Sequence, residues 1–305
     1  MPEKDNPDLI VVGSVGIDTI ETPWARRADV LGGSASYACV SASFFTSVGM
    51  VGVVGDDFPH AHRALYERAA IDLQGLQTVE GKTFRWSGVY EENMDNRRTL
   101  STELNVFESF SPELPEAFLE SPFVFLANIS PDLQIHVLEQ VKNPRFVMAD
   151  TMDLWIATTR EDLDQMIERV DLLTVNESEA RQLTGQHSPI RAARELLARG
   201  PEYVLIKKGE HGSILFYEDE IFLMPAFPLE HVNDPTGAGD MFAGAFMGAL
   251  AADGGTTPDA LRKAMLYGSV VASFGVEDFS LDRLAELSMT AIEERAGIFR
   301  RMLHC

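Results

Sequence analysis

DPTGAGDMFAGAFMGAL (residues 234–250) sets three small residues and a carboxylate where a loop turns into a helix, then runs on as an apolar helix rich in Ala and Gly. A helix N-terminus carries unpaired N–H groups and the positive end of the dipole, which together attract anions. Gly237, Ala238 and Gly239 leave those amides open to a phosphate. Asp240 falls in the first turn beside that anion, where repulsion makes a structural role a poor reason for it. A base that orients a substrate hydroxyl toward an incoming phosphoryl group is a better one. Packing is the competing reading: Gly and Ala allow close helix–sheet contact, and Asp in a first turn favours the dipole by about 0.3–1 kcal/mol. Spacing alone leaves the two level.

The rest of the chain narrows the choice of class. Its 305 residues, 45% hydrophobic and 24% charged, describe an ordinary folded protein of one large or two average domains. The formal charge of −22 argues against a binder of nucleic acid or of anionic membranes, whose affinity rests on neutralising phosphates. An anionic ligand must be held by amides and a few placed cations. Cys39 and Cys305 are the only cysteines, so neither a disulfide framework nor a cysteine-based zinc site is expected. The opening MPEKDNPDLIVVG lacks the basic segment and apolar run of a secretory signal, and no stretch approaches 18 apolar residues, so a cytoplasmic location is expected.

Short β-rich runs alternate with helical periods, the pattern of a largely parallel α/β sheet. Strands are predicted near 8–13, 48–54, 122–127, 145–149, 171–175, 203–207, 213–217 and 220–224. Helices are predicted near 34–45, 58–70, 132–141, 160–169, 177–184, 189–199, 238–252, 258–273 and 281–296. Residues 16–31 and about 82–106 have no helical period and read as antiparallel strands outside the main sheet, forming a small lid on a single domain spanning 1–305. His60 and His62 lack neighbours for a metal set. Neither a G-x-x-x-x-G-K-[ST] loop nor a G-x-G-x-x-G after the first strand is present.

The stretch DPTGAGD with its small-residue helix resembles the C-terminal signature of the ribokinase-like sugar and nucleoside kinases, the PfkB family. GGSASYA (32–38) is similar to that family's N-terminal glycine pair, GSVGIDTI (13–20) to its first strand ending in Asp, VNESEARQLTG (175–185) to its Asn-x-x-Glu segment, and VLIKKGEHGSILF (204–216) to its strand and glycine turn near the nucleotide. These segments follow the family order over roughly residues 8–280.

The resemblance implies a ribokinase-like three-layer α/β/α fold with a mostly parallel central sheet and a small β lid. It implies an ATP-dependent kinase acting on a hydroxyl of a small sugar or polyol, with a nucleoside as the alternative acceptor and a non-catalytic ligand-binding homologue as a remoter one. Asp240 would be the catalytic base, and the amides of Gly237, Ala238 and Gly239 the anion hole. Asp18, Gly32 and Gly33 would bind acceptor hydroxyls; Lys207, Gly209, Asn176 and Thr236 would lie at the nucleotide. Asn176 and Glu179 would hold Mg2+ through its waters, and Asp234 and Thr236, with backbone near Gly275, match positions that hold a monovalent cation such as K+ in some members.

Each assignment has a plainer rival in the residues themselves. Asn176 and Glu179 have the spacing of a capping box. Asp18 can stabilise a turn, and Gly32 and Gly33 can form a turn before a helix capped by Ser34. Lys207 and Lys208 read as a solvated strand edge, and Arg97 and Arg98 as a surface pair. Tyr37 stands where many members carry Asn, either stacking on a ligand ring or joining the core; MADTMDLWI (148–156) keeps Asp150 but lacks the Asn and Arg of a D-x-N-x-R pattern. Both departures weaken a standard hexose-kinase assignment. Strand edges in the lid leave room for a homodimer there.

Overall fold

Leu9–Val12 (β1) is apolar at every position because both of its faces are covered: Leu9 and Val11 join one buried layer, Ile10 and Val12 the other. The computed structural model describes residues 6–94 and 97–303; Cys305 lies outside them, and Cys39 is a buried free thiol. After β1 come β2 (Gly16–Glu21), β3 (Arg26–Gly32), α1 (Ser34–Ala42), β4 (Val48–Gly55), α2 (His60–Arg68), β5 (Asp72–Val79), β6 (Phe84–Tyr90) and β7 (Arg97–Glu103). The middle of the chain forms β8 (Phe123–Leu126), α3 (Pro131–Gln140), β9 (Phe146–Asp150), α4 (Asp153–Thr158), α5 (Arg160–Ile167), β10 (Leu172–Asn176), α6 (Glu177–Thr184) and α7 (Pro189–Leu197). It ends with β11 (Tyr203–Lys207), β12 (Ser213–Tyr217), β13 (Glu220–Met224), α8 (Ala238–Asp253), α9 (Pro258–Gly275), α10 (Asp282–Ala285) and α11 (Met289–Leu303).

Nine strands form the main sheet in the order β13-β12-β11-β10-β9-β8-β1-β4-β5. All neighbours are parallel except the β11–β12 and β12–β13 pairs. Helices α1, α8, α9 and α11 supply one apolar layer, and α3, α5, α6 and α7 the other, which is the expected three-layer arrangement. No helix among the described residues is long and apolar enough to cross a membrane.

The small sheet, ordered β3-β2-β6-β7, corrects one expectation. β2 pairs with β6 in parallel, while its pairing with β3 and that of β6 with β7 are antiparallel. The reason is connectivity: β2 follows β1 and β6 follows β5 after only a few residues, so both leave the same edge of the main sheet in the same direction. β5 and α4 are absent from the sequence prediction, and the helix expected over 281–296 is two helices, α10 and α11. In β5 the run DLQGLQTV places glutamines and a glycine where a buried strand would be apolar, because it is an edge strand.

Candidate active site

The turn into α8 is shaped before any ligand arrives. Asp234 Oδ1 accepts from the Thr236 N–H at 2.9 Å and Oδ2 from the Ser280 N–H at 3.1 Å, tying residues 234–236 to the loop after α9. Gly237 then adopts φ +74° as the N-cap of α8, in the left-handed region that a side chain disfavours. A Cβ there would meet the Tyr37 ring at 2.6 Å. Tyr37 is 2% exposed, so of its two readings, ligand stacking and core, it is core beneath the turn. Further along α8 the packing reading also holds: a Cβ on Gly244 would sit 2.2 Å from the Ala38 carbonyl of α1, and one on Gly248 2.7 Å from Ala42 Cα. The Ala238 N–H donates to the Pro235 carbonyl at 3.1 Å, which corrects the expectation that all three amides of 237–239 are open, and the later turns of α8 serve close contact with α1.

Beside that first turn lies Lys207, within reach of the carboxylates of Asp150, Glu179 and Asp240. Lys207, at the end of β11, donates from Nζ to Asp150 Oδ2 at 2.5 Å, and its side chain is only 17% exposed. The solvated-edge reading therefore fails for Lys207: the strand ends inside the site. Its Nζ is 3.3 Å from the position of a Cβ on Gly239. Burial opposes its charge, yet Asp150, Glu179 and Asp240 outweigh burial and hold its pKa above the ordinary lysine value. Asp240 is half-buried. Burial, then the charge of Asp150, push its carboxyl from 3.8 to about 7 against the pull of Lys207 and Arg97. Gly209, at φ +54°, begins the turn after β11, where the Lys208 N–H donates to the Gly212 carbonyl at 2.7 Å.

The small sheet contributes the opposite wall. Asp18 on β2 is 4% exposed and lies against Gly32, where an added Cβ would fall 2.0 Å from Asp18 Oδ2. Its Oδ1 is buried and has no hydrogen-bond partner among the described residues. Burial first, then Asp234 and Asp240, raise its carboxyl to about 8, with Arg97 acting in the other direction. Asp18 is in register with Trp86 of β6, and the Arg97 guanidinium lies 5.3 Å from the Trp86 ring centroid. Arg97 is exposed, as expected of a surface residue, but its charge reaches both Asp18 and Asp240. Strand alternation and the β6–β7 register were the only signals that could have separated it from Arg98. Gly33, at φ +94°, is the N-cap of α1 and has no side-chain cap bond. Ser34 is the first helical residue, not the cap: its Oγ accepts from the Ser14 N–H at 3.1 Å and donates to the Asn128 carbonyl at 3.2 Å.

Asn176 and Glu179 form the capping box that their spacing predicts: Asn176 Oδ1 accepts from the Glu179 N–H at 2.8 Å, and Glu179 Oε2 from the Asn176 N–H at 2.7 Å. Asn176→Ala is expected to lower unfolding free energy by about 1 kcal/mol, with Asn176→Asp close to wild type, as read by urea titration. The box does not exhaust Glu179. It is 8% exposed, and burial together with the charge of Asp150 pushes its carboxyl from 4.5 to about 7, so it faces the same cluster as Lys207. No group of three or more His, Cys, Asp or Glu that could hold a metal occurs among the described residues. Asp234 and Thr236 are engaged otherwise: the Asp234 carboxylate receives two backbone N–H groups, and the Thr236 hydroxyl donates to Tyr90 Oη at 3.1 Å.

Comparison with known proteins gives the family and the fold. Residues 8–280 match the family described as pfkB family carbohydrate kinase. A cytidine kinase of Thermococcus kodakarensis is 32% identical over 246 residues, 79% of this chain and 87% of that protein. A ribokinase of Bacillus subtilis is 28% identical over 306 residues, 88% of this chain and 94% of that one. Among solved structures, Arabidopsis thaliana ribokinase complexed with ribose and ATP superposes with a TM-score of 0.75 at 21% identity, covering 95% of this chain and 98% of that one.

Proposed function

The chain belongs to the pfkB family of carbohydrate kinases, and from that premise we propose that it transfers the γ-phosphoryl group of ATP to a ribose hydroxyl of a nucleoside. That it is a sugar or nucleoside kinase follows from the family; the acceptor and the residue roles are our reading. The observation that carries it is the unpartnered, buried Asp18 Oδ1, set within electrostatic reach of Asp240. A buried acceptor oxygen without a donor is costly, and a substrate hydroxyl would supply the donor. Asp240 accepts the proton of the attacking hydroxyl, and the amides of Gly237 and Gly239 receive the charge that develops on the transferred group, the Ala238 N–H being held by the Pro235 carbonyl at 3.1 Å.

Glu179 and Asn176 would hold Mg2+ through its waters, and the ion would neutralise charge on the ATP phosphates. The small sheet acts as a lid that carries Asp18 and Trp86 over the acceptor and excludes water. The indole of Trp86 favours a nucleoside, because a planar base has a π-face to lay against it. The 32% identical relative being a cytidine kinase supports the same choice. Free ribose or another small sugar is the second reading, favoured by the ribokinase relatives.

The test is ADP release with Mg-ATP against separate pools of nucleosides, pentoses, hexoses and polyols, using wild type and Trp86→Ala. Release with nucleosides, with KM for them raised at least tenfold in Trp86→Ala and no such rise for sugars, is the expected result. Release with sugars alone would sink the nucleoside reading.

A further inference from the structure

We propose that Lys207 is a catalytic residue acting on the phosphoryl group in transit, and that Asp150 is the positioning residue that aims it. The proposal rests on the kinase reading above and goes beyond holding nucleotide phosphates in the ground state. Lys207 enters the site at the end of β11, on the side of the α8 turn where Gly239 leaves room for it. Its Nζ couples to Asp240, the residue placed at the acceptor hydroxyl, as well as to Asp150 and Glu179. A cation whose charge reaches the base would stand at the transfer end of a bound triphosphate.

Asp150 is held rigidly enough to aim a lysine. Its backbone carbonyl accepts from Gln134 Nε2 at 2.9 Å, and that fully buried amide also donates to the Leu126 carbonyl at 3.2 Å and the Ala127 carbonyl at 3.1 Å. Its Oδ1 accepts from the Thr151 N–H at 2.9 Å, which leaves Oδ2 for Lys207. An ammonium has three donors. Among the described residues the Lys207 Nζ gives one to Asp150, so two remain for oxygens of a ligand.

In the transfer the bond from the γ-phosphorus to the β–γ bridging oxygen breaks, its electron pair leaving with ADP. The acceptor oxygen forms the new bond to phosphorus, and the hydroxyl proton passes to Asp240. Lys207 keeps its proton throughout and donates to non-bridging oxygens of the group in transit. Because it is fixed in place and shielded from water, its charge acts there without reorganisation. A compact ammonium suits phosphate as a point charge without needing a fork.

Lys207→Met, Lys207→Arg and Asp150→Asn are measured for kcat, KM, ATP binding by calorimetry, and binding of ADP with aluminium fluoride as a planar phosphoryl mimic. Loss of Lys207 to Met is expected to lower kcat roughly 10²-fold and weaken the ADP–aluminium fluoride complex in parallel, with ATP affinity changed less than about threefold. Lys207→Arg recovers part of kcat. Asp150→Asn lowers kcat about tenfold, because the cation remains but is no longer aimed. If Lys207→Met does not fold, the double variant Asp150→Asn/Lys207→Met, which removes both charges of the pair, is read with the same expectation. Unchanged kcat, with or without weaker ATP binding, overturns the proposal and leaves Lys207 a ground-state or structural residue. Wild-type protein that releases no ADP with any acceptor overturns the kinase reading as well; wild-type turnover with unimpaired variants removes only the role of Lys207.

Discussion

Replacing Asp240 with Asn is expected to reduce acceptor-dependent turnover about 10³-fold or more while ATP binding is retained, since general base catalysis contributes roughly 10²–10⁴ and the amide cannot take the proton. The carboxylate sits in the first turn of α8 within reach of the Lys207 charge, so the substitution removes charge and basicity with little change of volume. Two further readouts separate a base from a spacer. With a pKa of about 7, Asp240 is half-protonated near neutrality, so wild-type kcat/KM should fall about tenfold per pH unit below 7. The residual activity of Asp240→Asn should lack that limb.

Stability should move the other way. The Asp240 carboxyl holds its proton more tightly in the folded protein than at its ordinary value of 3.8. Folding is therefore favoured most below that value, and the advantage is lost as pH rises to about 7. Asp240→Asn should accordingly raise the thermal midpoint at pH 8 relative to wild type and change it little at pH 4. Turnover near normal would remove Asp240 from the base role, and a midpoint lowered at pH 8 would mean that its carboxyl is not held above its ordinary value.

Much of this site could be read from residue type and spacing, and what could not depended on contacts between distant segments. The glycine stretch announced an open helix start, and Asn176 with Glu179 announced a cap, because both are local. β5 was missed because an edge strand need not be apolar throughout. Lys207 looked like a solvated residue since nothing within β11 signals Asp150, 57 positions earlier in the chain. Tyr37 stayed open between ligand and core because Gly237, two hundred residues away, is what it packs against. The parallel pairing of β2 and β6 was likewise invisible, since it follows from where β1 and β5 end in the main sheet and not from the alternation within either strand.

The contact between Tyr37 and Gly237 carries the second large effect. Gly237→Ala places a Cβ 2.6 Å from a ring that is buried beneath the turn, at a φ of +74°. The left-handed backbone costs about 1–2 kcal/mol for an L side chain. Overpacking against the ring adds about 1–3 kcal/mol. The turn can relieve both only by rotating the peptides that aim the Gly237 and Gly239 amides, and a lost or misaimed donor at such a site lowers kcat by roughly 10²–10³. Gly237→Ala is therefore expected to lose turnover on that scale along with thermal stability. Adding Tyr37→Leu separates the two causes: it removes the clash but not the backbone cost, so the double variant should recover kcat in part and remain less stable than wild type. Full kcat in Gly237→Ala, despite lowered stability, would mean that the amides at the start of α8 do not receive the charge of the transferred group.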